Sequence, residues 1–159
     1  MLWLRALVFV VIAPGTVAGL LPWLVHTAWF PASALALGGW RWLGLVPAAV
    51  GLLVLGQTVA DFVRKGEGTP APIDPPKHLI TTGLHGWCRN SMYIGVLLVI
   101  LGESIGYANP AVLAYGAVVW LMFHLFVLLY EEPKLASLFG SEFDAYKARV
   151  PRWIPRRPR

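Results

Sequence analysis

The sequence contains little cysteine and little charge. Cys88 is the single cysteine in 159 residues, so the chain forms no internal disulfide. Asp, Glu, Lys and Arg make up 13% of the residues, whereas soluble domains contain about 25%. The chain also lacks a Gly-rich dinucleotide fingerprint, a phosphate-binding loop and the His/Cys spacing of a zinc site. These absences exclude a disulfide-stabilised scaffold and predict no metal site.

Long apolar runs are what the sequence has in excess. Hydrophobic residues make up 57% of the chain and the mean hydropathy is +0.64, which is too apolar for a soluble domain of this size. A membrane-spanning helix needs roughly 17–25 apolar residues. The sequence therefore predicts a single all-α domain over residues 1–159, an integral membrane helical bundle with about four transmembrane helices. The predicted spans are residues 4–25, 42–62, 92–108 and 110–130.

Two of these segments leave an alternative open. The first could be a cleaved signal peptide, but its apolarity continues as far as Val25, which favours a span. Within it, Pro14 and Gly15 predict a kink. The third segment is the shortest, contains Glu103 and ends at an Asn-Pro pair. A re-entrant hairpin arm is therefore the alternative to a full third span.

The positions of the basic residues predict the topology. With four spans, twelve of the thirteen lysines and arginines fall on one side and only Arg41 falls on the other. Because Lys and Arg collect in cytoplasmic loops, both termini, the loop 64–91 and the tail 131–159 are predicted to be cytoplasmic. We expect the inner membrane of a bacterium. The net charge of +5 suits anionic headgroups better than nucleic acid, and the eight tryptophans predict aromatic belts at both membrane surfaces.

The predicted cytoplasmic loop is rich in residues that interrupt helices. Prolines at positions 70, 72, 75 and 76 and glycines at 66, 68, 83 and 86 exclude a long helix there. The loop is either a solvated linker or a binding site. Long irregular loops in compact proteins are more often functional, and hydrogen-bonding and aromatic side chains concentrate just before the third span. These are His78, His85, Trp87, Arg89, Asn90 and Tyr93.

The tail begins with two acids and continues with a helical pattern. The pair Glu131-Glu132 either marks the exit from the membrane or contributes to a site. Ser141 and Asp144 form a capping-box pattern. Phe143, Tyr146 and Val150 then recur at helical spacing, which predicts a short amphipathic helix lying on the membrane or on the loop. The basic end RVPRWIPRRPR suits an interfacial anchor.

Four pieces of the sequence together resemble one family of membrane enzymes. They are GEGTP at 66–70, HLITTGLHGWCRNSMY at 78–93, the pair Glu131-Glu132, and FGSEFDAYKARVPRWIP at 139–155. In order and spacing they resemble the membrane methyltransferases typified by isoprenylcysteine carboxyl methyltransferase and phosphatidylethanolamine N-methyltransferase. The resemblance covers roughly residues 64–155.

The resemblance implies that S-adenosylmethionine binds between the loop and the tail, while a lipophilic acceptor arrives from within the bilayer. The cofactor's sulfonium is attracted to aromatic faces such as those of Tyr93 and Trp87, and Arg89 suits its carboxylate. Methyl transfer is an in-line displacement that requires alignment and exclusion of water, so no dedicated catalytic residue is implied. The implied cofactor contacts are Gly66, Gly68, His78, Leu79, Ile80, His85, Arg89, Asn90, Tyr93, Glu131 and Glu132.

Three positions depart from the family pattern. Ser91 replaces the usual Pro and His85 the usual Tyr, both in the predicted cofactor wall. Val127 stands where isoprenylcysteine enzymes carry an Arg that meets the acceptor's carboxylate. This absence shifts the expectation towards a phospholipid amine or another small hydrophobic acceptor, with isoprenylcysteine-type carboxyl methylation as the alternative.

Two other functions remain open from the sequence. The tail pattern also resembles the C-terminal part of membrane sterol reductases, which use NADPH, although this chain is short for that class. Glu103 is the one acid well inside an apolar run, and it is either a proton or cation site of a small four-span transporter or a residue at the outer interface near Tyr107.

Overall fold

The computed structural model describes residues 1–31, 34–69 and 76–157, and the regular elements in these ranges are all helical. The all-α prediction is therefore confirmed. The predicted loop includes prolines at 70, 72 and 75 that lie outside the described residues. Besides a short turn at Gly83–Gly86, the helices are α1 Leu2–Trp29, α2 Gly38–Arg64, α3 Ser91–Gly106, α4 Pro110–Phe139 and α5 Ser141–Arg149.

Three of the helices, α1, α2 and α4, are long and apolar enough to cross a membrane. Helix α3 has 16 residues and is about 24 Å long at 1.5 Å per residue, somewhat less than the roughly 30 Å of a bilayer core. It is also the helix with the most buried positions, because α2 and α4 pack on either side of it. The chain is thus an integral membrane helical bundle, with α3 at its centre.

Close contact between α2 and α3 depends on glycine. A Cβ atom built on Gly51 would lie 2.6 Å from the carbonyl oxygen of Gly95, and one built on Gly102 would lie 2.5 Å from that of Gly44. Small residues allow two helix backbones to approach in a membrane, where no hydrophobic effect drives helices together. The two contacts also show that α2 and α3 run antiparallel, and that α3 accompanies α2 over most of its own length.

We expect Gly102→Ala to destabilise the bundle. The added methyl would overlap main-chain atoms of α2, and overpacking of this kind costs about 1–3 kcal/mol. Gly56→Ala on α2 is the matched control, because a Cβ there meets nothing within 4 Å. Thermal unfolding in detergent should show a lower Tm for Gly102→Ala and an unchanged or slightly higher one for Gly56→Ala. Equal Tm values for the two variants would contradict the close packing.

Helix α1 is distorted near its middle. Ala18 has φ −111° and ψ 19°, outside the helical region, whereas Gly15 keeps helical angles. Pro22 follows Ala18 by four residues, so it lacks the N–H that would bond to the Ala18 carbonyl, and its ring crowds that oxygen. The predicted kink is therefore real but its predicted position was wrong, since Pro22 and not the pair Pro14-Gly15 displaces the backbone.

Helices α1 to α4 alternate in direction, which brings distant parts of the chain to the same end of the bundle. We call the end containing Leu2, Arg64, Ser91 and α5 the proximal end, and the end containing Trp29, Gly38, Gly106 and Pro110 the distal end. At the proximal end the Arg64 guanidinium lies 5.7 Å from the centre of the Trp3 ring. Exposed tryptophans mark both ends, as predicted for a membrane protein: Trp3 and Trp87 at the proximal end, Trp29, Trp40 and Trp42 at the distal end.

The amphipathic helix predicted in the tail is present as α5. Phe143, Tyr146 and Val150 are buried against Leu79 of the loop and the end of α4, so the helix lies on the loop. The predicted capping box was wrong. Helix α5 follows directly on α4 at Gly140, which has φ +51°, and no side chain caps its first turn. Glycine adopts a positive φ readily, so the main chain can change direction at Gly140. Ser141 therefore lies inside α5 and not at its cap.

Candidate active site

The proximal end contains a cavity between the loop, the ends of α2 and α4, the start of α3, and α5. Its apolar wall includes Phe62, Leu79, Ile80 and Leu135, and its polar groups include His85, Arg89, Tyr93, Glu131 and Lys134. On the α4 side it is also lined by Phe126, Tyr130 and Leu138, whose side chains are 37%, 43% and 52% exposed on a helix apolar enough to span the membrane. The cavity thus joins a polar interior to a surface that faces lipid.

A tight turn at Gly83–Gly86 brings the loop against the end of α2. Gly83 has φ +64°, and a Cβ on it would lie 3.0 Å from Asp61 Oδ2 and 3.2 Å from Lys65 Nζ. Both the backbone angle and the close approach require glycine here. Asp61 in turn pairs with Lys65 at 2.8 Å. The turn therefore fixes the position of His85, which forms part of the cavity wall.

An ion-pair network connects the loop, α4 and the tail beside the cavity. Glu132 Oε1 accepts from Arg89 Nη1 at 2.8 Å and from Arg152 Nε at 2.7 Å, and Glu132 Oε2 accepts from Arg152 Nη2 at 2.9 Å. These hydrogen bonds to Glu132 raise the pKa of Arg152. Charge-assisted, bidentate pairs of this type are the strong hydrogen bonds of proteins. One carboxylate thus holds two guanidinium groups from segments far apart in the sequence.

The main chain of the tail is fastened to the loop by additional hydrogen bonds. The Arg89 N–H donates to the Pro151 carbonyl at 3.0 Å and Arg89 Nε donates to the Val150 carbonyl at 3.0 Å. Asn90 Nδ2 and Cys88 Sγ both donate to the carbonyl of Arg152. Burial raises the pKa of the Cys88 thiol, which keeps its proton available for this bond. The tail is therefore a structural part of the site.

Glu131 and Tyr93 form the second polar contact of the site. The Tyr93 hydroxyl donates to Glu131 Oε2 at 2.6 Å, and both side chains line the cavity. Here α4 widens, because the N–H of Glu132 bonds to the carbonyl of Val127, five residues earlier. Pro133 follows and has no N–H to donate to a carbonyl of the preceding turn. The adjacent acids at this turn have different partners, because Glu131 lines the cavity and Glu132 pairs with the arginines. Wide turns of this kind recur at functional sites.

His85 is buried beside the cavity and is neutral at physiological pH. Burial lowers the pKa of His85 to about 4, an effect that Asp61 opposes and Lys65 reinforces. Within the described part of the chain its Nδ1 atom has no hydrogen-bond partner, and its ring meets Phe62 edge-on with centroids 5.5 Å apart. The Tyr146 hydroxyl donates to the His85 carbonyl at 2.7 Å. The imidazole therefore offers the cavity a neutral polar group.

The low pKa of His85 predicts that acid destabilises the protein. Between pH 6.5 and about 4 the unfolded chain binds a proton at His85 that the folded chain refuses, so stability falls as the pH decreases through this range. At pH 5 the expected loss is about 2 kcal/mol. Tm measured at pH 7 and pH 5 should fall more in the wild type than in His85→Gln. His78→Gln, an exposed histidine of the same loop, is the control and should behave as the wild type; an equal fall in all three would contradict the assignment.

Comparison with known proteins identifies the family of the chain. The model of a family described as phospholipid methyltransferase matches residues 40–142, more than half of the chain. The chain belongs to the phospholipid methyltransferase family. The match extends from the start of α2 to the first residues of α5 and includes all the cavity-lining residues named above except Tyr146. The family predicted from the loop and tail motifs is confirmed.

Relatives in this family include proteins with known names. Mouse protein-S-isoprenylcysteine O-methyltransferase is 35% identical over 78 residues, 48% of this chain and 27% of its own length. The cobalt-zinc-cadmium resistance protein CzcN of Cupriavidus metallidurans is 31% identical over 129 residues, 80% of this chain and 59% of its own length. The structure of the eukaryotic intramembrane Ras methyltransferase ICMT matches with a TM-score of 0.63 and 25% identity over 91% of this chain and 53% of that chain. The chain thus spans about a quarter to three fifths of the length of these relatives.

The structure brings six of the eleven predicted cofactor contacts of this phospholipid methyltransferase family member into one cavity wall. The other five lie elsewhere: Gly66 packs behind the wall against Pro76 and Ile80, and Gly68 donates to the Phe62 carbonyl. His78 is exposed, and the Asn90 and Glu132 side chains bind the tail. A direct cofactor contact remains a prediction for all eleven. Those in the wall are Leu79, Ile80, His85, Arg89, Tyr93 and Glu131.

Several residues of the site were missed from the sequence. Phe62, Tyr130 and Lys134 line the cavity, but on their helices they are ordinary apolar, aromatic or basic residues at a membrane surface. Arg152 was assigned to an interfacial anchor, and no local pattern indicates its pairing with Glu132 twenty residues earlier. For Tyr146, the available signal of a role in the site was its predicted position on the apolar face of α5. Ser91, at the family's Pro position, donates to the carbonyls of Leu84 and Cys88 and so fastens the start of α3 to the turn.

Proposed function

We propose that this chain transfers a methyl group from S-adenosylmethionine to a lipophilic acceptor that enters from the bilayer. The observation that carries the proposal is the combination, in one cavity, of Glu131, Arg89 and the Tyr93 ring with an apolar side that reaches the lipid-facing surface of α4. Membership of the phospholipid methyltransferase family supports the same activity.

The residues of the wall fit the chemical groups of S-adenosylmethionine. Among the described residues that line the cavity, Glu131 is the only acid, so it suits the ammonium group. Arg89 uses Nε and Nη1 on protein oxygens, which leaves Nη2 for a carboxylate. The Tyr93 ring, held by Phe123 with centroids 4.6 Å apart, offers an aromatic face for the sulfonium. Glu131 and Arg89 together match an amino acid's opposite charges.

When bound, the cofactor would supply an electrophilic methyl group on its sulfonium for transfer to the acceptor's lone pair, with the thioether as the leaving group. The chain's residues need only align the two reactants and keep water out. Leu79, Ile80 and Phe62 form the apolar wall that excludes water. The Glu132 network fixes the orientation of Arg89, because both guanidinium nitrogens that face the protein are hydrogen-bonded. The Tyr93 hydroxyl holds the Glu131 carboxylate in place.

A phospholipid amine is the acceptor that we infer. Val127 is buried and provides no cation at the position where isoprenylcysteine enzymes carry an arginine for the acceptor's carboxylate. A neutral amine requires no such partner. The alternative acceptor is the carboxylate of an isoprenylcysteine, and the names of the mouse relative and of the eukaryotic structure support it. In either case the proximal end would face the cytoplasm, where the basic residues of the loop and tail are expected.

Transfer of a labelled methyl group tests the proposal and separates the two acceptors. Membranes containing the protein are incubated with methyl-labelled S-adenosylmethionine and extracted with organic solvent. We expect label in a phospholipid, in an N-methyl group that resists mild base. Label released by base as methanol would indicate a methyl ester and favour the isoprenylcysteine alternative. The absence of extracted label above that of membranes without the protein would contradict methyl transfer to a lipid.

A further inference from the structure

The distal end of the bundle contains two adjoining cavities that have no part in the proposed methyl transfer. They share Arg41, Trp42, Gly106 and Tyr107. We call them the distal cavities. Helix α3 connects them to the candidate active site, and Glu103, which lines one of them, follows Tyr93 by ten residues. At 1.5 Å per residue the two sites lie about 15 Å apart along α3.

An arginine and a glutamate line the distal cavities without pairing. Arg41 and Glu103 both line the second cavity, yet in the described part of the chain no ion pair within 4.0 Å joins them. Arg41 instead lies over the Trp42 ring, 5.3 Å from its centre. Glu103 Oε2 is buried and has no hydrogen-bond partner among the residues that the structure describes. An unsatisfied buried carboxylate oxygen costs free energy, so a group that donates to it would bind favourably.

A third polar group, His26, lines the first distal cavity. Asn109 Oδ1 accepts from the N–H of Ala111 at 2.9 Å, which fixes the direction of the Asn109 amide. Its Nδ2 therefore donates to the Phe30 carbonyl at 3.0 Å and to His26 Nδ1 at 3.2 Å. Because Nδ1 accepts, the ring proton is on Nε2, which has no partner among the described residues. Stacking on Tyr107 at 4.6 Å holds the imidazole in this orientation.

The surroundings indicate that the ligand of these groups is a lipid. Trp29, Trp40 and Trp42 are 57%, 73% and 62% exposed at this end, and exposed tryptophans in membrane proteins lie at the level of the lipid headgroups. The distal cavities occupy the same level. A headgroup at this depth presents a phosphate, and in an aminophospholipid it also presents an ammonium group.

We propose that the distal cavities bind the headgroup of a zwitterionic aminophospholipid, with its phosphate at Arg41 and His26 and its ammonium at Glu103. A guanidinium and an imidazole N–H are suitable donors to phosphate oxygens, and the buried carboxylate gains the donor that it lacks. Arg41 and Glu103 do not contact each other, and a ligand that carries both charges can bridge them. This lipid stabilises the distal end and is not the methyl acceptor.

Native mass spectrometry of the full chain in detergent tests the proposal. We expect the wild type to retain phosphatidylethanolamine at least about tenfold more strongly than phosphatidylglycerol, which has the phosphate but no amine. Glu103→Gln should abolish this preference, and Arg41→Gln should weaken binding of both lipids. Glu142→Gln and Arg157→Gln remove exposed charges at the proximal end and should leave both binding and preference unchanged.

Three results would overturn the proposal. Equal retention of the two lipids by the wild type would do so without any variant, whether or not the variants fold. Binding of inorganic phosphate with no retention of either lipid would show a free-anion site. Loss of the preference in Glu131→Gln, combined with its persistence in Glu103→Gln, would place the lipid in the candidate active site and not in the distal cavities. The outcome does not depend on whether the chain transfers methyl groups.

Discussion

Replacing Glu132 with alanine should abolish most of the activity and destabilise the protein. The substitution leaves Arg89 and Arg152 without the carboxylate that both of them contact at less than 3 Å. Loss of one partner from a buried ion pair costs 3–5 kcal/mol, and we expect about 3 kcal/mol here because the Arg152 side chain is 31% exposed. With Arg89 no longer oriented and the tail released, kcat/KM should fall by at least about 100-fold.

Glu142→Ala is the control for this experiment. Glu142 is an exposed acid on α5 with no ion pair in the described structure, so its removal should change neither Tm nor turnover. Glu132→Gln should give an intermediate effect, since the amide accepts one hydrogen bond but carries no charge. A Glu132→Ala protein with the wild-type Tm and wild-type turnover would show that the network is dispensable.

Replacing Glu131 with glutamine should impair cofactor binding with little effect on the fold. Glu131 is the one acid in the described part of the cavity wall, and the glutamine keeps its size but removes the charge that would attract the cofactor's ammonium. A hydrogen bond to a charged group is worth up to about 3 kcal/mol, so we expect kcat/KM to fall by about 100-fold. Most of this change should be in the KM for S-adenosylmethionine.

The Tyr93→Phe variant tests how much the orientation of the Glu131 carboxylate contributes to activity, separately from its charge. The phenylalanine keeps the aromatic face and the carboxylate but loses the hydroxyl that donates to Glu131 at 2.6 Å. We expect a smaller loss, of about tenfold, the value of one hydrogen bond of roughly 1.4 kcal/mol. If Tyr93→Phe were more damaging than Glu131→Gln, the hydroxyl and not the carboxylate would be the important group.

The sequence was informative where physical chemistry acts locally. Apolar runs of sufficient length predicted the membrane helices, because a bilayer admits only helices or closed barrels. The spacing of Phe143 and Tyr146 predicted the buried face of α5. The observed helices extend beyond the predicted spans. Helix α4, for example, ends at Phe139, whereas the predicted span ended at residue 130, because a helix can continue past the membrane surface with polar residues. Apolarity alone gives no signal for that end.

The arrangement of the site depended on interactions that act across the sequence. The sequence did not distinguish Glu131 from Glu132, whereas in the structure Glu131 lines the cavity and Glu132 pairs with the arginines, next to a wide turn before Pro133. The proline was a usable signal for that turn. Pairing of Arg152 with Glu132, in contrast, results from the path of the tail over the loop, and the main-chain bonds that set this path involve no particular side chain. The positions of Gly66 and Gly68 outside the wall follow from the same packing.

Calorimetric titration of the purified full chain in lipid nanodiscs with S-adenosylmethionine tests whether the cavity at the proximal end binds this cofactor. We expect saturable binding with micromolar affinity in the wild type and in Glu142→Ala, and a large loss of affinity in Glu131→Gln. A wild-type protein of unchanged Tm that shows no binding heat, and from which no labelled S-adenosylmethionine is retained, would contradict it.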